Sequence, residues 1–310
     1  MSIHTERKMK SSFRSAFTRD GEPMFQLNSL YRPLIATPFS SSRAYSEISP
    51  CDALKPYIVC FWGSPEPYEN EGRKTSPAPA GHGLVIPDTC MDIIFNFNHT
   101  TGEASSCFCG LNDEPFTTGR SDQAGRLSIF GIRFHFWAVQ LFAGRTLLGS
   151  SNISDEVDAF FNGWTAQLME RFSAAHTLQE RARLVEPFLM AKLNGNRMNA
   201  DVFNAAYRIL QGRGTLPAKE ICAYTGVSQR QLERLFAGRI GISVKTLSTL
   251  VRFQTLWRDV LRSETFDVQE AVVKYRYTDQ SHLLHEFKKF HGVTPAQARA
   301  RALNIITPEQ

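Results

Sequence analysis

Leu232-x3-Phe236-x4-Gly241-Ile242-Ser243 recurs 51 positions later as Leu283-x3-Phe287-x4-Gly292-Val293-Thr294. Each copy follows a short helical pattern and a tight turn. In the first these are Ile221 to Tyr224 and Thr225-Gly226-Val227-Ser228; in the second, Val268 to Tyr275 and Arg276-Tyr277-Thr278-Asp279. Helix, tight turn and amphipathic helix make a helix-turn-helix unit, whose second helix fits the DNA major groove. Two copies give one chain two such helices.

In the first copy Leu216-Pro217 opens a helix, because proline suits the first helical turn. Small Cys222 and Ala223 admit the next helix closely, and Gly226 takes the turn, where positive φ carries little steric penalty. Ser228 caps the helix that follows. Leu232, Leu235 and Phe236 fall on its core face, which leaves Gln229, Arg230, Glu233 and Arg234 outward. Arginine suits bidentate contact with guanine, worth about 1–3 kcal/mol of discrimination. In the second copy Asp267 caps the opening helix, and Leu283, Phe287 and Phe290 face inward. Gln280, Ser281, Leu284, His285 and Lys288 fall outward or at the rim, with His282 and Lys289 placed for phosphates. Between the copies, Val244 to Arg262 holds no glycine or proline. As a helix it spans about 28 Å, at roughly 1.5 Å per residue. It would hold two recognition helices about one DNA turn apart, near 34 Å.

Charge follows the same division. Residues 197–301 carry 17 Lys/Arg against 9 Asp/Glu, while the remainder carries 18 against 21. The basic excess therefore sits with the doubled motif, as attraction to phosphates requires. At 310 residues and 42% hydrophobic content, the chain suits two domains and not a disordered polymer. No apolar run is long enough for a membrane span, and the polar start, Met1 to Asp20, has no signal core. Six cysteines without a regular framework point to a reducing cytoplasm.

Residues 1–20 are basic and Ser-rich, and a flexible tail is expected there. From Ser49 to Phe134 the chain reads as short strands broken by turn residues, among them Tyr57–Trp62, Ile93–Phe97 and Leu127–Phe134. Such a series predicts a barrel or sandwich, and Glu66 to Gly83 reads as an exposed loop. From Phe136 the apolar spacing becomes helical, through Val157, Phe160, Phe161, Trp164, Leu168 and Phe172 to Leu184, Phe188, Leu189 and Leu193. These faces pack on their own domain or form a homodimer seam. Asn194-Gly195-Asn196 marks the boundary. The expected division is a tail (1–20), a β-rich sensor domain (21–135), a helical extension (136–195), a double helix-turn-helix domain (196–303) and a tail (304–310). The fold class is α+β.

The stretches Gly226-Val-Ser-Gln-Arg-Gln-Leu-Glu-Arg-Leu-Phe236 and Asp279-Gln-Ser-His-Leu-Leu-His-Glu-Phe287, with Gly292-Val-Thr-Pro295, resemble the two signatures of the AraC/XylS family of bacterial transcription regulators. The resemblance covers residues 200–303. It implies a seven-helix DNA-binding domain, recognition of double-stranded promoter DNA, usually as an activator, and contact with RNA polymerase. It assigns base reading to Arg230 and Arg234, and to Gln280, Ser281 and His285. Three positions depart from the family pattern: Arg276 stands where glycine is usual, Val272 replaces a small alanine, and His285 replaces a frequent arginine. The first unit is therefore expected to dominate specificity. Leu54-Lys-Pro-Tyr-Ile-Val-Cys-Phe-Trp62, Pro87-Asp-Thr-Cys-Met-Asp-Ile-Ile-Phe-Asn96 and Gly131-Ile-Arg-Phe134 are similar to the sensor domain of one AraC subgroup, which implies a cupin-like, β-rich sensor.

A barrel mouth lined by aromatics is a common small-molecule site. Trp62, Phe95, Phe97, Arg133 and Phe134 are the candidate effector pocket, with Arg133 for an anionic group; ordinary core is the alternative. Cys107-x-Cys109, with Cys90, His82 and His99, offers a metal or redox switch as a rival. His282, His285 and His291 lack a completing ligand, so no metal or other cofactor is expected. Asp88 and Asp92 flank Cys90, and His135 follows, but no phosphate loop or hydrolase motif accompanies them, so an enzyme is not expected. A non-specific architectural DNA binder is the second rival; it would need no pair of positioned recognition helices.

Overall fold

The computed structural model describes residues 27–34, 45–72, 84–117, 123–172 and 174–306. A short helix, α1 (Leu27–Leu30), precedes the β-rich part. The strands there are β1 (Ser46–Ile48), β2 (Ile58–Gly63), β3 (Tyr68–Glu71), β4 (Leu84–Val85), β5 (Cys90–Asn98), β6 (Ala104–Cys109), β7 (Phe116–Thr117), β8 (Ala124–His135) and β9 (Ser154–Asp155). The long β8 organises the sheet, pairing antiparallel with β2, β3 and β5. The order is β1-β2-β8-β5-β6-β9, with β3 also on β8 and a separate β4-β7 ribbon.

Strict alternation gives the sheet two unlike faces. Phe61, Ile93, Phe95, Phe130, Ile132 and Phe134 are wholly buried on one face. Against them pack α2 (Val157–Phe160), α3 (Trp164–Phe172) and α4 (Leu178–Lys192). Phe172 meets Phe95 and Phe130 edge-on at 5.3 and 5.1 Å between ring centres, and Phe161 meets Phe108 at 5.2 Å. Each such ring contributes about 1.5–3 kcal/mol by leaving water. The α4 helix starts at a capping box in which Thr177 and Glu180 satisfy each other's backbone N–H. On the opposite face the Trp62 ring covers Gly131, where a Cβ would lie 2.2 Å from it.

Two local expectations need correction. Part of the supposed loop after Glu66 is strand β3, whose backbone pairs with Ala124–Leu127; residues 73–83 lie outside the described residues. The expected basic tail, residues 1–20, also lies outside them. Within 136–195, the helical spacing expected from Phe136 onward begins with only one 3-10 turn, Val139–Leu141, and β9 then joins β6 at the sheet edge. Edge pairing is satisfied across the chain, so short polar Ser154–Asp155 carries no strand signal of its own.

Seven helices follow: α5 (Ala200–Gln211), α6 (Ala218–Thr225), α7 (Gln229–Arg239), α8 (Val244–Arg262), α9 (Val268–Lys274), α10 (Gln280–His291) and α11 (Pro295–Ile306). The helix expected between the two copies has the bounds read from its composition. It is the core of this part, with Leu247, Leu250, Val251, Phe253, Leu256, Trp257 and Val260 all buried. No helix among the described residues is long and apolar enough to cross a membrane.

Candidate nucleic-acid interface

The first unit is built by local chemistry. Pro217 stands at the N-cap of α6, one position before the helix proper. Gly226 ends α6 at φ +75°, the left-handed conformation that favours glycine. Ser228 then caps α7 by accepting from the Gln231 N–H at 3.3 Å. Leu232 and Phe236 are buried under α7, and Gln229, Arg230 and Arg234 are exposed along its outer side. Ala223 is exposed, so it does not provide the close approach expected of it. Glu233 is half-buried and accepts from the Val244 N–H at 3.2 Å. It caps α8 instead of facing outward with the arginines.

The second unit repeats the plan. Asp267 caps α9 and Asp279 caps α10, the latter accepting from the His282 N–H at 2.8 Å. Arg276 takes φ +54° in the turn, as its glycine-like place predicts. Leu283, Phe287 and Phe290 are buried; Gln280, Ser281, His282, His285 and Lys288 are exposed. Leu284 packs against the core. His282 sits 5.2 Å edge-on from the Tyr277 ring and 3.3 Å from Thr278 Oγ1. Burial keeps His291 down at about 4, between Trp257 and Phe287, apart from any histidine cluster.

An ion pair that spacing alone did not single out fastens this unit to α8. Arg252 binds both carboxylate oxygens of Glu286, and Tyr277 Oη donates to Glu286 at 2.5 Å. The guanidinium also lies 4.2 Å from the Tyr277 ring centre. Glu286 falls three residues after Leu283 and four before Phe290, a carboxylate inside an apolar stripe. That misfit was the available signal.

The N-terminal part touches this interface at several places among the described residues. Gln254 of α8 is fully buried, accepts from the Leu34 N–H at 2.8 Å and donates to the Pro87 carbonyl at 2.9 Å. Thr146 Oγ1 and the Leu147 N–H both donate to the Gly238 carbonyl near the end of α7, each at 2.9 Å. Lys289 Nζ lies 3.9 Å from Asp113 Oδ2, so one expected phosphate contact faces a carboxylate.

The five candidate effector residues do not line one pocket. Phe95, Phe97 and Phe134 point to the helix-covered face, where Phe172, Phe142 and Phe161 surround them. Trp62 and Arg133 share the other face. Trp62 Nε1 and Arg133 Nε both donate to Asp92 Oδ1, at 2.7 and 3.1 Å, and Arg133 lies over the Trp62 ring at 5.5 Å. Burial opposes the Arg133 charge, but Asp92 and Asp88 outweigh it and hold it protonated. Burial raises Asp88 to about 6, with Arg133 opposing and Asp92 adding to the rise. Cys107 and Cys109 lie half-buried on this same face, Cys109 opposite Asp92. Donation from Cys109 draws Cys107 down to about 6. No group of three metal-ligating side chains occurs among the described residues. Burial pushes the Cys90 thiol well up, and His135, stacked 4.2 Å from Trp137, down to about 3. That is the opposite of an activated nucleophile and its base.

Residues 221–301 match a family described as a helix-turn-helix domain, and residues 46–151 match one described as a domain of unknown function (DUF6597). The chain thus carries a helix-turn-helix domain at residues 221–301 behind a DUF6597 domain at residues 46–151. Among solved structures it is similar to ToxT from Vibrio cholerae O395, at 10% identity over 86% of this chain and 98% of that one, with a TM-score of 0.34. It is also similar to unsaturated fatty acid bound wild-type ToxT from Vibrio cholerae strain SCE256, at 12% identity over 75% and 92%, with a TM-score of 0.31. A comparison with curated proteins finds no match.

Proposed function

We propose that this protein is a sequence-specific transcription regulator whose α7 and α10 enter two successive major grooves of promoter DNA, under control of its N-terminal domain. One observation carries the reading: two capped helix-turn-helix units, each presenting polar side chains outward, hang on the single buried helix α8. Arg230 and Arg234 are the base-reading pair of the first unit, and Gln280, Ser281 and His285 read more weakly in the second. Lys288 contacts phosphate. Activation, RNA polymerase contact, homodimerisation and a small-molecule signal belong to the same reading. Support for control comes from Gln254 and from the Asp113–Lys289 pair, which join the N-terminal part to the linking helix and to α10.

The test is to map bound DNA fragments across the genome of the native host and align the recovered sites. A two-part motif with centres about 10 base pairs apart is expected. A single half-motif would reduce the second unit to a backbone clamp. No shared motif would favour a non-specific architectural binder.

A further inference from the structure

Arg181, near the start of α4, is fully buried. Its Nε donates to the Ala175 carbonyl at 3.2 Å, and its guanidinium carbon sits 3.9 Å from the centre of the Phe97 ring. Nη1 and Nη2 are buried with no hydrogen-bond partner among the described residues. No described carboxylate pairs with it. Glu180, next in the chain, is turned to the backbone N–H groups of His176 and Thr177, at 2.9 and 3.0 Å. The contrast within the molecule is sharp, since Arg133 has Asp92 and Arg252 has Glu286.

The neighbouring side chains are histidines and not a paired carboxylate. His99 lies beside the site, its ring 5.4 Å from that of exposed His176 and its Nε2 2.8 Å from Ser128 Oγ. Burial first, and then the charges of Arg181, His176 and Arg126, hold His99 below its ordinary value. A buried guanidinium gives up its hydration, and a cation over a phenyl ring recovers only a minor part of that loss. Two free N–H edges in one plane match the two oxygens of a carboxylate or phosphate.

We propose that Arg181, with His99 and His176 beside it, is a binding site for a small oxyanion. The site lies on the helix-covered face of the sheet, on the other side from Arg133 and Trp62. It is independent of DNA recognition, and either can fail without the other.

Thermal unfolding of the full chain, titrated with inorganic phosphate and separately with benzoate at constant ionic strength, tests it. A saturable rise in melting temperature with at least one anion is expected, and which one acts identifies the head group. Arg181→Met should weaken that anion by about tenfold or more, the loss of a charge-assisted pair. His176→Ala, at an exposed position, keeps the test open if the arginine variant does not fold; it should weaken the anion several-fold. No saturable response in the wild type, or a response in both variants equal to that of the wild type, would leave Arg181 a packing cation and overturn the site.

Discussion

Arg230 and Arg234 stand four residues apart on α7, so both project from one side of the helix, while Lys288 projects from α10. Arg234→Ala is expected to weaken specific binding by about 1–3 kcal/mol and to relax preference at one base position. Lys288→Ala should weaken all sequences alike and lower the salt slope by about one phosphate. Fluorescence anisotropy on specific and random duplexes separates the two roles; equal loss on both for Arg234→Ala would make it a phosphate contact. His291 carries a prediction about pH. Its folded value of about 4 lies below the ordinary histidine value, so the unfolded chain binds the extra proton between about pH 6.5 and 4. Stability from this group is therefore complete above pH 6.5 and lost as pH falls through 4. His291→Phe keeps a ring against Trp257 and should flatten that fall by roughly 2–3 kcal/mol. Urea midpoints at pH 7 and pH 4.5 measure it, and an unchanged difference would exclude His291 as the cause.

At the scale of elements, α10 is placed by the Glu286 carboxylate as much as by its apolar stripe. Glu286→Ala leaves the half-buried Arg252 without its partner and should destabilise the protein by up to about 3 kcal/mol. Glu286→Gln, which still accepts from Tyr277, should be milder. Chemical denaturation gives the ranking, and equal loss in both variants would show that the charge itself matters and not the hydrogen bond. The second turn holds a smaller strain. Arg276 at φ +54° carries a left-handed penalty that glycine would not, so Arg276→Gly should change stability by no more than about +1 kcal/mol, part of it offset by a looser unfolded chain. A marked destabilisation would mean that the Arg276 side chain contributes more than its backbone conformation removes.

Across the whole molecule, the N-terminal part is held to α8 by Gln254, whose amide satisfies Leu34 N–H and the Pro87 carbonyl. Gln254→Leu orphans both, at about 1–3 kcal/mol each, and should lower the melting temperature of the full chain. Undocking of the N-terminal part from α8 is expected to separate Asp113 from Lys289 as well. Affinity for random DNA should then rise, modestly, because a half-exposed pair at 3.9 Å is worth only about 0–1 kcal/mol. Weaker DNA binding by a folded Gln254→Leu protein would show that docking aids the interface instead of restraining it.

The sequence by itself determined what depends on near neighbours. Gly226, Ser228 and Asp279 placed the turns and caps, apolar spacing set the inner faces of α7 and α10, and an unbroken stretch set the ends of α8 at Val244 and Arg262. The outward positions of Gln229, Arg230, Arg234, Gln280, Ser281, His285 and Lys288 followed from the same periodicity. Apolar runs bounded by turn residues likewise revealed the long strands β2, β5 and β8. What only the tertiary structure decided involves partners far along the chain. Glu233 is taken by Val244, Glu286 by Arg252, and Lys289 faces Asp113. Strands β3 and β9 exist because a neighbour offers backbone groups, not because their residues favour extension. The candidate effector residues were divided between two faces because alternation tells odd from even, while only packing says which side the helices cover. Arg181 shows the same limit, since its charge is evident in sequence but its lack of a counter-charge is a property of the assembled core.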